Sequence, residues 1–418
     1  MTDALEISRP RQKASDVKVR QNTLPRIVIV GGGFAGLAAA RALRGCDAEI
    51  VLIDRRNHHI FQPLLYQAAT AVLAPSEIAA PIRQLAEKQK NLSVVMAEVT
   101  GLDLSSRSLD TLCPVLGARK ITFDYLVIAT GMRPSYFGHD EFAKHAPGLK
   151  TLSDAEAIRA KILSAYEAAE STDDPDERAR QLTFVLVGGG PTGVELAASI
   201  AEMATITLRS NFRRIDPAKT SILLIEGGKR ILASYAESLS KKAAKRLEKL
   251  GVMVMTGARV EHVDEQGVIV AGKRIESATV LWTAGVAPSP ILAMLDVKTD
   301  HAGRVCVGPF LDVPDKPGIF VVGDAAAATQ GGIRRADRRR RPGGPRRGDP
   351  PQATGGAARP GDRRLRDREG AEIGAHILSG GGHGPAGIVP AVTNATFAAT
   401  GKRLRKLPIE TTVLKQPA

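Results

Sequence analysis

Two stretches of the sequence carry glycines at the spacing that binds the pyrophosphate of a dinucleotide. In each stretch an apolar run typical of a buried strand leads into G-x-G-x-x-G, and a helix-forming run follows. The first glycine allows a tight turn, the second lets the backbone approach a pyrophosphate, and the third lets the helix pack closely on the strand. The free N–H groups at the start of the helix then favour the phosphates. The two sets of glycines are Gly31, Gly33 and Gly36, and Gly188, Gly190 and Gly193.

An acidic residue ends the next strand after each glycine motif. Asp54 lies 21 residues after Gly33, and Glu226 lies 36 residues after Gly190, so we expect an insertion in the second unit. A carboxylate there accepts hydrogen bonds from ribose hydroxyls. The carboxylate of Glu226 should also repel a 2′-phosphate and favour NADH over NADPH, although Lys229 and a neighbouring arginine could accommodate a phosphate. An unrelated glycine-rich turn explains one such motif more simply, but it does not explain strand, helix and acid together.

Two shorter motifs resemble segments of the glutathione-reductase-like flavoproteins, which bind two dinucleotides. Ala129, Thr130 and Gly131 end a strand predicted over residues 125–130, and Asp324 follows Gly323 at the end of a strand predicted over 318–323. The resemblance implies that the first motif marks the return toward the next dinucleotide domain. It also implies that the Asp324 carboxylate binds the ribityl chain of FAD. The alternative for Asp324 is an N-cap of a following helix.

The elements that must position these residues predict the fold. Continuous apolar runs at residues 26–30 and 182–187 are typical of parallel strands that are buried on both faces. We therefore expect an α/β chain with two Rossmann-like dinucleotide-binding domains. The predicted units are a disordered N-terminal tail (1–23), an FAD-binding domain (24–150 and 285–332), an NADH-binding domain (151–284), an Arg/Gly/Pro-rich disordered segment (333–370) and a short tail without a core of its own (371–418).

A narrower resemblance covers residues 24–331. Its most specific segment is Phe-Gln-Pro-Leu-Leu-Tyr at 61–66, and residues 188–197 and 282–285 match as well. These segments resemble the type II, non-proton-pumping NADH:quinone oxidoreductases. The resemblance implies that NADH passes a hydride to FAD and that the reduced flavin passes two electrons to a quinone.

The resemblance also implies which residues form the sites. Glu195 is the expected catalytic residue, because the family has a glutamate near the nicotinamide and flavin that positions or relays protons. The structural alternative is a glutamate favoured by the helix dipole in the first helical turn. No metal site is expected. The expected FAD-binding residues are Gly31, Gly33, Phe34, Ala35, Gly36, Asp54, Ala129, Thr130, Gly131, Gly323 and Asp324. The expected NADH-binding residues are Gly188, Gly190, Pro191, Thr192, Gly193, Glu195, Glu226, Ala284 and Gly285.

The sequence changes character after residue 331. Residues 334–370 hold 13 arginines, 5 acidic residues and a single leucine as their one large apolar residue, so we expect no core there. The resemblance implies, at this point, a helix over the flavin and quinone site and then amphipathic membrane-binding helices, and neither is recognisable. The composition is typical of GC-rich coding DNA read in a wrong frame; a basic tail that binds lipid or nucleic acid is the lower-ranked alternative. Residues 384–409 resemble the C-terminal end of the xanthine-dehydrogenase-like molybdenum hydroxylases, which indicates a chimeric or frameshifted chain.

Composition restricts the class of protein further. The net charge is +14, but most of it lies after residue 333, so it gives no argument for nucleic-acid binding by the rest of the chain. The 3 cysteines lie far apart, which argues against dithiol chemistry and a thiolate zinc site. The adjacent His58 and His59 are interpreted as solvated or hydrogen-bonded. No apolar run approaches the ~18 residues of a membrane-spanning helix, and the N-terminus does not resemble a secretory signal.

We therefore expect an FAD-dependent NADH:quinone oxidoreductase whose quinone half-reaction is impaired by the aberrant C-terminus. One alternative is another two-dinucleotide flavoprotein that reduces a ferredoxin-like protein or a dye, and another is an inactive nucleotide-binding remnant. The expected partner is a quinone, with a weak contact to the membrane surface and no nucleic acid; a homodimer is left open. We expect a cytoplasmic location. Family members are peripheral on the cytoplasmic face of the inner membrane, and this chain is expected to be soluble if the membrane helices are missing.

Overall fold

The computed structural model describes residues 24–328 of the chain. The predictions for residues 1–23, for the arginine-rich segment and for residues 384–409 fall outside this range and stay predictions. Within the described range, no helix combines the length and the apolar content needed to cross a membrane.

The chain forms twenty-one strands and nine α-helices over the described residues. From residue 24 to 134 these are β1 (Arg26–Val30), α1 (Phe34–Ala42), β2 (Glu49–Asp54), β3 (His58–Ile60), α2 (Leu65–Ala69), α3 (Pro75–Ile78), β4 (Ala79–Pro81), α4 (Ile82–Ala86), β5 (Leu92–Met96), β6 (Glu98–Asp103), β7 (Ser108–Cys113), β8 (Gly117–Thr122), β9 (Tyr125–Ile128) and β10 (Met132–Pro134). The next are α5 (Leu152–Ser171), α6 (Pro175–Gln181), β11 (Thr183–Val187), α7 (Pro191–Glu202), β12 (Ser221–Glu226), α8 (Glu237–Lys249), β13 (Val252–Thr256), β14 (Val260–Asp264), β15 (Gly267–Val270), β16 (Lys273–Glu276), β17 (Thr279–Trp282) and β18 (Val286–Pro288). The last are α9 (Pro290–Ala293), β19 (Val305–Cys306), β20 (Ile319–Val321) and β21 (Ala326–Ala327).

The first glycine motif lies at the carboxyl edge of a five-stranded parallel sheet with the order β20-β9-β1-β2-β5. The central strand β1 is apolar along its length because both of its faces are covered. Val30 pairs with Ile53 in the neighbouring strand, so Gly31, which follows β1, lies next to Asp54, the last residue of β2. The register of this sheet therefore brings the glycine turn and its acidic residue together.

The second glycine motif lies at the same edge of a four-stranded parallel sheet with the order β13-β12-β11-β17. Val187 pairs with Ile225 on one side and with Trp282 on the other. Gly188, Glu226 and residues 283–285 consequently meet at the carboxyl ends of these strands.

The two units repeat one architecture. Each carries a three-stranded antiparallel sheet, formed by β6-β7-β8 in the first unit and by β14-β15-β16 in the second. A two-stranded antiparallel ribbon, formed by β10 and β18, joins the units. Strand β10 follows residues 129–131, which lie beside the first glycine turn. Strand β18 follows residues 283–285, which lie beside the second. The duplicated turns are thereby tied to each other as well as to their own sheets.

The segment with the most specific family resemblance packs into the core of the second unit. Leu65, Ala68 and Ala69 of α2 are buried in one apolar cluster with residues of α5, α7, β11 and β12. Thr70 and Ser199, both buried, share a hydrogen bond of 2.7 Å between their hydroxyl oxygens. This segment therefore couples the first unit to the helix that follows the second glycine motif.

The predicted strands at the two sites form, with ends shifted by at most two residues. The strands predicted over 182–187, 125–130 and 318–323 span Thr183–Val187, Tyr125–Ile128 and Ile319–Val321. The extra residues predicted before β12 form a π-helical turn over Met203–Thr207 and a 3₁₀ turn over Pro217–Lys219. The domain boundaries predicted at residues 150, 284 and 332 stay predictions.

Candidate dinucleotide-binding sites

Two of the first three glycines are required by the packing of the chain itself. Gly31 has φ +109°, and a Cβ there would lie 2.4 Å from the carbonyl oxygen of Ala129. A Cβ on Gly36 would lie 1.8 Å from the carbonyl oxygen of Gly31. These contacts place α1, β1 and the Ala129 segment too close together for any side chain, as the motif predicts.

Gly33 differs from the other two glycines of its motif. Its φ of −75° suits any residue, and a Cβ there would meet no atom within 4 Å. Nothing in the described chain therefore requires glycine at this position. The open space beside its backbone, at the start of α1, fits the approach of a pyrophosphate.

The carboxylate of Asp54 stabilises the first glycine turn by a hydrogen bond to its backbone. Its two carboxylate oxygens accept hydrogen bonds from the backbone N–H of Gly32 at 2.6 Å and from that of Arg56 at 2.8 Å. A carboxylate oxygen can accept more than one bond, so both oxygens can still accept from ribose hydroxyls. Asp54 therefore fits the role that its spacing predicted.

Residues 129–131 form the opposite wall of the first turn. The hydroxyl of Thr130 is buried without a hydrogen-bond partner among the described residues, and Gly131 faces open space. A buried hydroxyl without a partner is costly, so a ligand that supplies an acceptor or donor there would stabilise it. This orphaned hydroxyl fits a bound dinucleotide better than an empty turn.

Asp324 lies beside the same turn because of the glycine that precedes it. A Cβ on Gly323 would lie 2.9 Å from Cβ of Ala35, in the first turn of α1. The Asp324 side chain is exposed, and it makes no hydrogen bond to another described residue. The N-cap alternative is wrong, because Asp324 lies inside a 3₁₀ turn, Gly323–Ala325, that leads into strand β21.

An aromatic cluster that the sequence did not predict flanks the first turn. The ring of Phe34, at the start of α1, packs edge-on against His59 at 4.8 Å and Phe61 at 5.6 Å between centroids. Nδ1 of His59 donates to the carbonyl oxygen of Gly32 at 3.1 Å, and burial lowers the pKa of this imidazole. His58 bonds to Asn57, so both histidines are hydrogen-bonded, as interpreted from the sequence.

Among residues 24–328 no group of His, Cys, Asp and Glu side chains is placed to hold a metal ion.

The second turn repeats the geometry of the first. Gly188 has φ +113°, and a Cβ there would lie 2.5 Å from the backbone nitrogen of Ala284. A Cβ on Gly193 would lie 1.9 Å from the carbonyl oxygen of Gly188, whereas a Cβ on Gly190 would meet no atom within 4 Å. Helix α7 begins directly after Gly190, with Pro191 and Thr192 as its first two residues. Each turn thus has two glycines that the fold requires and one that faces open space.

The carboxylate of Glu226 stabilises the second glycine turn by a backbone hydrogen bond, as Asp54 does in the first. Its carboxylate oxygens accept from the backbone N–H groups of Gly189 and Gly228, both at 2.6 Å.

The guanidinium of Arg230 donates to the carbonyl oxygens of Tyr235 at 2.8 Å and Ala233 at 2.7 Å. Arg230 is therefore engaged by its own loop, which leaves Lys229 as the better candidate to accommodate a phosphate.

Glu195 lies one turn deeper in α7 than the sequence suggested. It is the fifth residue of the helix, and no acidic residue lies in the first turn. The helix-dipole alternative is therefore weakened, because that effect falls off within the first turn. Burial raises the pKa of the Glu195 carboxyl to about 7. A carboxyl group of this kind can gain or release a proton near neutral pH.

Comparisons with known proteins agree with this geometry. The model of a family described as pyridine nucleotide-disulphide oxidoreductase matches residues 25–343. The type II NADH:quinone oxidoreductase Ndh of Mycobacterium tuberculosis is 45% identical over 312 residues, which cover 72% of this chain and 67% of that protein. Its relative NdhA, from the same organism, is 44% identical over 310 residues, covering 72% and 66%.

A solved structure gives the same result for the fold. The structure of NDH2 from Plasmodium falciparum in complex with RYL-552 has a TM-score of 0.67 and 25% identity, and the match covers 73% of this chain and 64% of that one. The chain thus spans about two thirds of the length of these relatives. The predicted α/β fold with two dinucleotide-binding domains is confirmed.

Proposed function

Since the chain belongs to the pyridine nucleotide-disulphide oxidoreductases, and within them to the type II NADH:quinone oxidoreductases, we propose that it oxidises NADH through FAD and passes the electrons to a quinone. The prediction of FAD and NADH as cofactors is confirmed by this membership. The observation that carries the proposal is the duplicated turn, in which the second glycine of each motif, Gly33 or Gly190, faces open space while the first and third are required by packing. The two turns differ in their further contacts, and this difference supports the proposal that each binds a different dinucleotide.

The first turn is proposed to bind FAD. Bound FAD would supply the redox chemistry, as acceptor of a hydride and donor of two electrons. The backbone at Gly33 and the start of α1 hold the pyrophosphate, and Asp54 accepts from the ribose hydroxyls. The exposed carboxylate of Asp324 and the buried hydroxyl of Thr130 supply the remaining polar contacts.

The second turn is proposed to bind NADH, with Gly190 and the start of α7 at the pyrophosphate. Glu226 accepts from free 2′- and 3′-hydroxyls, and its charge opposes a 2′-phosphate. Glu195 lies five residues into the same helix, and its carboxyl, with a pKa of about 7, can hold the proton that accompanies electron transfer. Its lack of a hydrogen-bond partner among the described residues leaves it free to bond to a bound nucleotide or to water.

The acceptor half-reaction is proposed to be impaired in this chain. Residues 334–370 hold 13 arginines and one leucine, so they offer no apolar face for a quinone or a membrane core. We expect a weak contact between this segment and anionic lipid, screened over about 10 Å at 0.1 M salt. The resemblance of residues 384–409 to molybdenum hydroxylases supports a chimeric tail and contributes nothing to the NADH reaction. A homodimer is compatible with this proposal but carries no part of it.

Side-by-side assays of the purified protein test the proposal. Ferricyanide, a water-soluble acceptor, needs no quinone pocket and should accept electrons at a rate at least about tenfold above that of a long-chain membrane quinone. Equal or faster turnover of the quinone would contradict the proposed impairment and support an intact quinone site. Turnover of a ferredoxin-like protein above both acceptors would favour the alternative reductase.

A further inference from the structure

Phe137 is the exposed member of an aromatic cluster at the end of β17. The cluster's other rings are buried: Tyr136 stacks on Trp282 at 5.0 Å between centroids, and Phe142 lies 6.0 Å from Trp282. The ring of Phe137 lies 6.5 Å from Trp282, and 67% of the residue is exposed. A large apolar ring is thus left uncovered beside a well-packed cluster.

The ring lies directly against the second glycine turn. A Cβ on Gly285 would lie 2.5 Å from Cζ of Phe137, so the ring touches the backbone of Gly285. The preceding residue, Ala284, is the one whose backbone crowds Gly188. An unbroken line of contacts therefore runs from the exposed ring to the first glycine of the motif.

The backbone at Phe137 is held in an unfavourable conformation. Its φ is +54°, in the left-handed region that a bulky residue rarely adopts. Its N–H donates to Oγ of Ser135 at 3.2 Å, and the carbonyl oxygen of Ser135 accepts from the Trp282 indole at 2.8 Å. The surrounding bonds thus fix the ring where it is exposed, which is the kind of strain that clusters at ligand sites.

The first turn offers an internal comparison. Gly131 occupies the position that Gly285 occupies in the second turn, and a Cβ on Gly131 would meet no atom within 4 Å. The Phe137 ring is therefore present only beside the second of the two turns. That turn is the one proposed to bind NADH, which must enter and leave in each catalytic cycle.

We propose that Phe137 is a binding residue for NADH, whose ring forms one wall of the second site and packs against the bound dinucleotide. This inference rests on the proposed function, because it takes the second turn to be the NADH site. Binding would cover the exposed face of the ring, which accounts for both its exposure and its strained backbone.

The holoprotein variant Phe137→Ala tests this assignment. We expect the KM for NADH to rise about fivefold to twentyfold while kcat with ferricyanide stays within about twofold, since the ring contributes to binding. Phe137→Leu and Phe137→Tyr, which keep an apolar body, should stay within about threefold of the original KM. Phe310→Ala, at another exposed phenylalanine, is the matched control and should change neither constant. Bound flavin and the thermal midpoint without NADH should be unchanged in every variant.

A binding measurement separates this inference from the proposed function. Trp282 is the chain's 1 tryptophan and lies beside the ring, so quenching of its fluorescence by NAD⁺, which cannot reduce the flavin, reports the Kd of the nucleotide without turnover. A weaker Kd in Phe137→Ala supports the inference even if the protein turns over no acceptor, an outcome that would contradict only the proposed function. An unchanged Kd and KM would overturn the assignment. A loss of affinity that appears only together with lost flavin and a lowered midpoint would also overturn it.

Discussion

At the scale of single residues, Glu195 is the titrating group that the structure sets apart. Burial raises the pKa of its carboxyl to about 7 from an ordinary value of 4.5. The folded protein therefore favours the neutral carboxyl. The folding stability that the neutral Glu195 carboxyl contributes is fully present below pH 4.5, and it is lost as the pH rises through about 7.

Glu195→Gln should remove this pH dependence. At pH 8 the variant should be more stable to unfolding than the original protein by about 1–2 kcal/mol, after allowance for screening of a partly exposed group, and at pH 4.5 the two should be equal. Denaturant unfolding of both holoproteins at the two pH values measures this. Glu202→Gln, an exposed glutamate of the same helix, is the control. An equal difference at both pH values would show that ionisation of Glu195 is not the cause.

Glu226 should decide the choice of nucleotide. Replacement by alanine removes the charge that opposes a 2′-phosphate. The ratio of kcat/KM for NADH to that for NADPH should therefore fall roughly fivefold to thirtyfold, which corresponds to about 1–2 kcal/mol. Glu248→Ala, at an exposed position of α8 in the same unit, should leave the ratio unchanged. If Glu226→Ala also leaves it unchanged, the residue that discriminates between the nucleotides lies elsewhere.

At the scale of secondary-structure elements, the sequence was sufficient for the parts of each site that are local along the chain. The strand, turn and helix around Gly31 and Gly188 are set by runs of neighbouring residues, and their glycines are required by contacts that the motif spacing already encodes. The two acidic residues were equally predictable, because each ends a strand adjacent to its glycine motif.

Contacts between distant segments were not predictable from the sequence. The bond between Thr70 and Ser199 joins residues 129 positions apart, and no local pattern indicates it. The raised pKa of Glu195 depends on burial by other elements, and the engagement of Arg230 by its own loop depends on the path of the backbone. Nor does any motif mark Phe137, whose significance lies in a contact with Gly285 across the paired strands β10 and β18.

At the scale of the whole molecule, we propose that two copies of one architecture bind different dinucleotides. The copies share the sheet, the glycine turn, the acidic residue and the three-stranded side sheet. They differ in the residues added around the turn: Asp324 and the Phe34 cluster at the first, Glu195 and Phe137 at the second. Because Gly33 and Gly190 are both tolerant of a side chain in the described fold, each site can be blocked without disturbing the other.

The most direct test is an anaerobic titration of the protein-bound flavin with NADH in the original protein and in Gly33→Val and Gly190→Val. The original protein should be yellow and should lose its flavin absorbance on addition of NADH. Gly33→Val should be folded and colourless, because the valine fills the space of the FAD pyrophosphate. Gly190→Val should keep its flavin, resist bleaching by NADH and still be bleached by dithionite. A Gly33→Val protein with full flavin absorbance, or a Gly190→Val protein that NADH bleaches normally, would contradict the assignment of one dinucleotide to each turn.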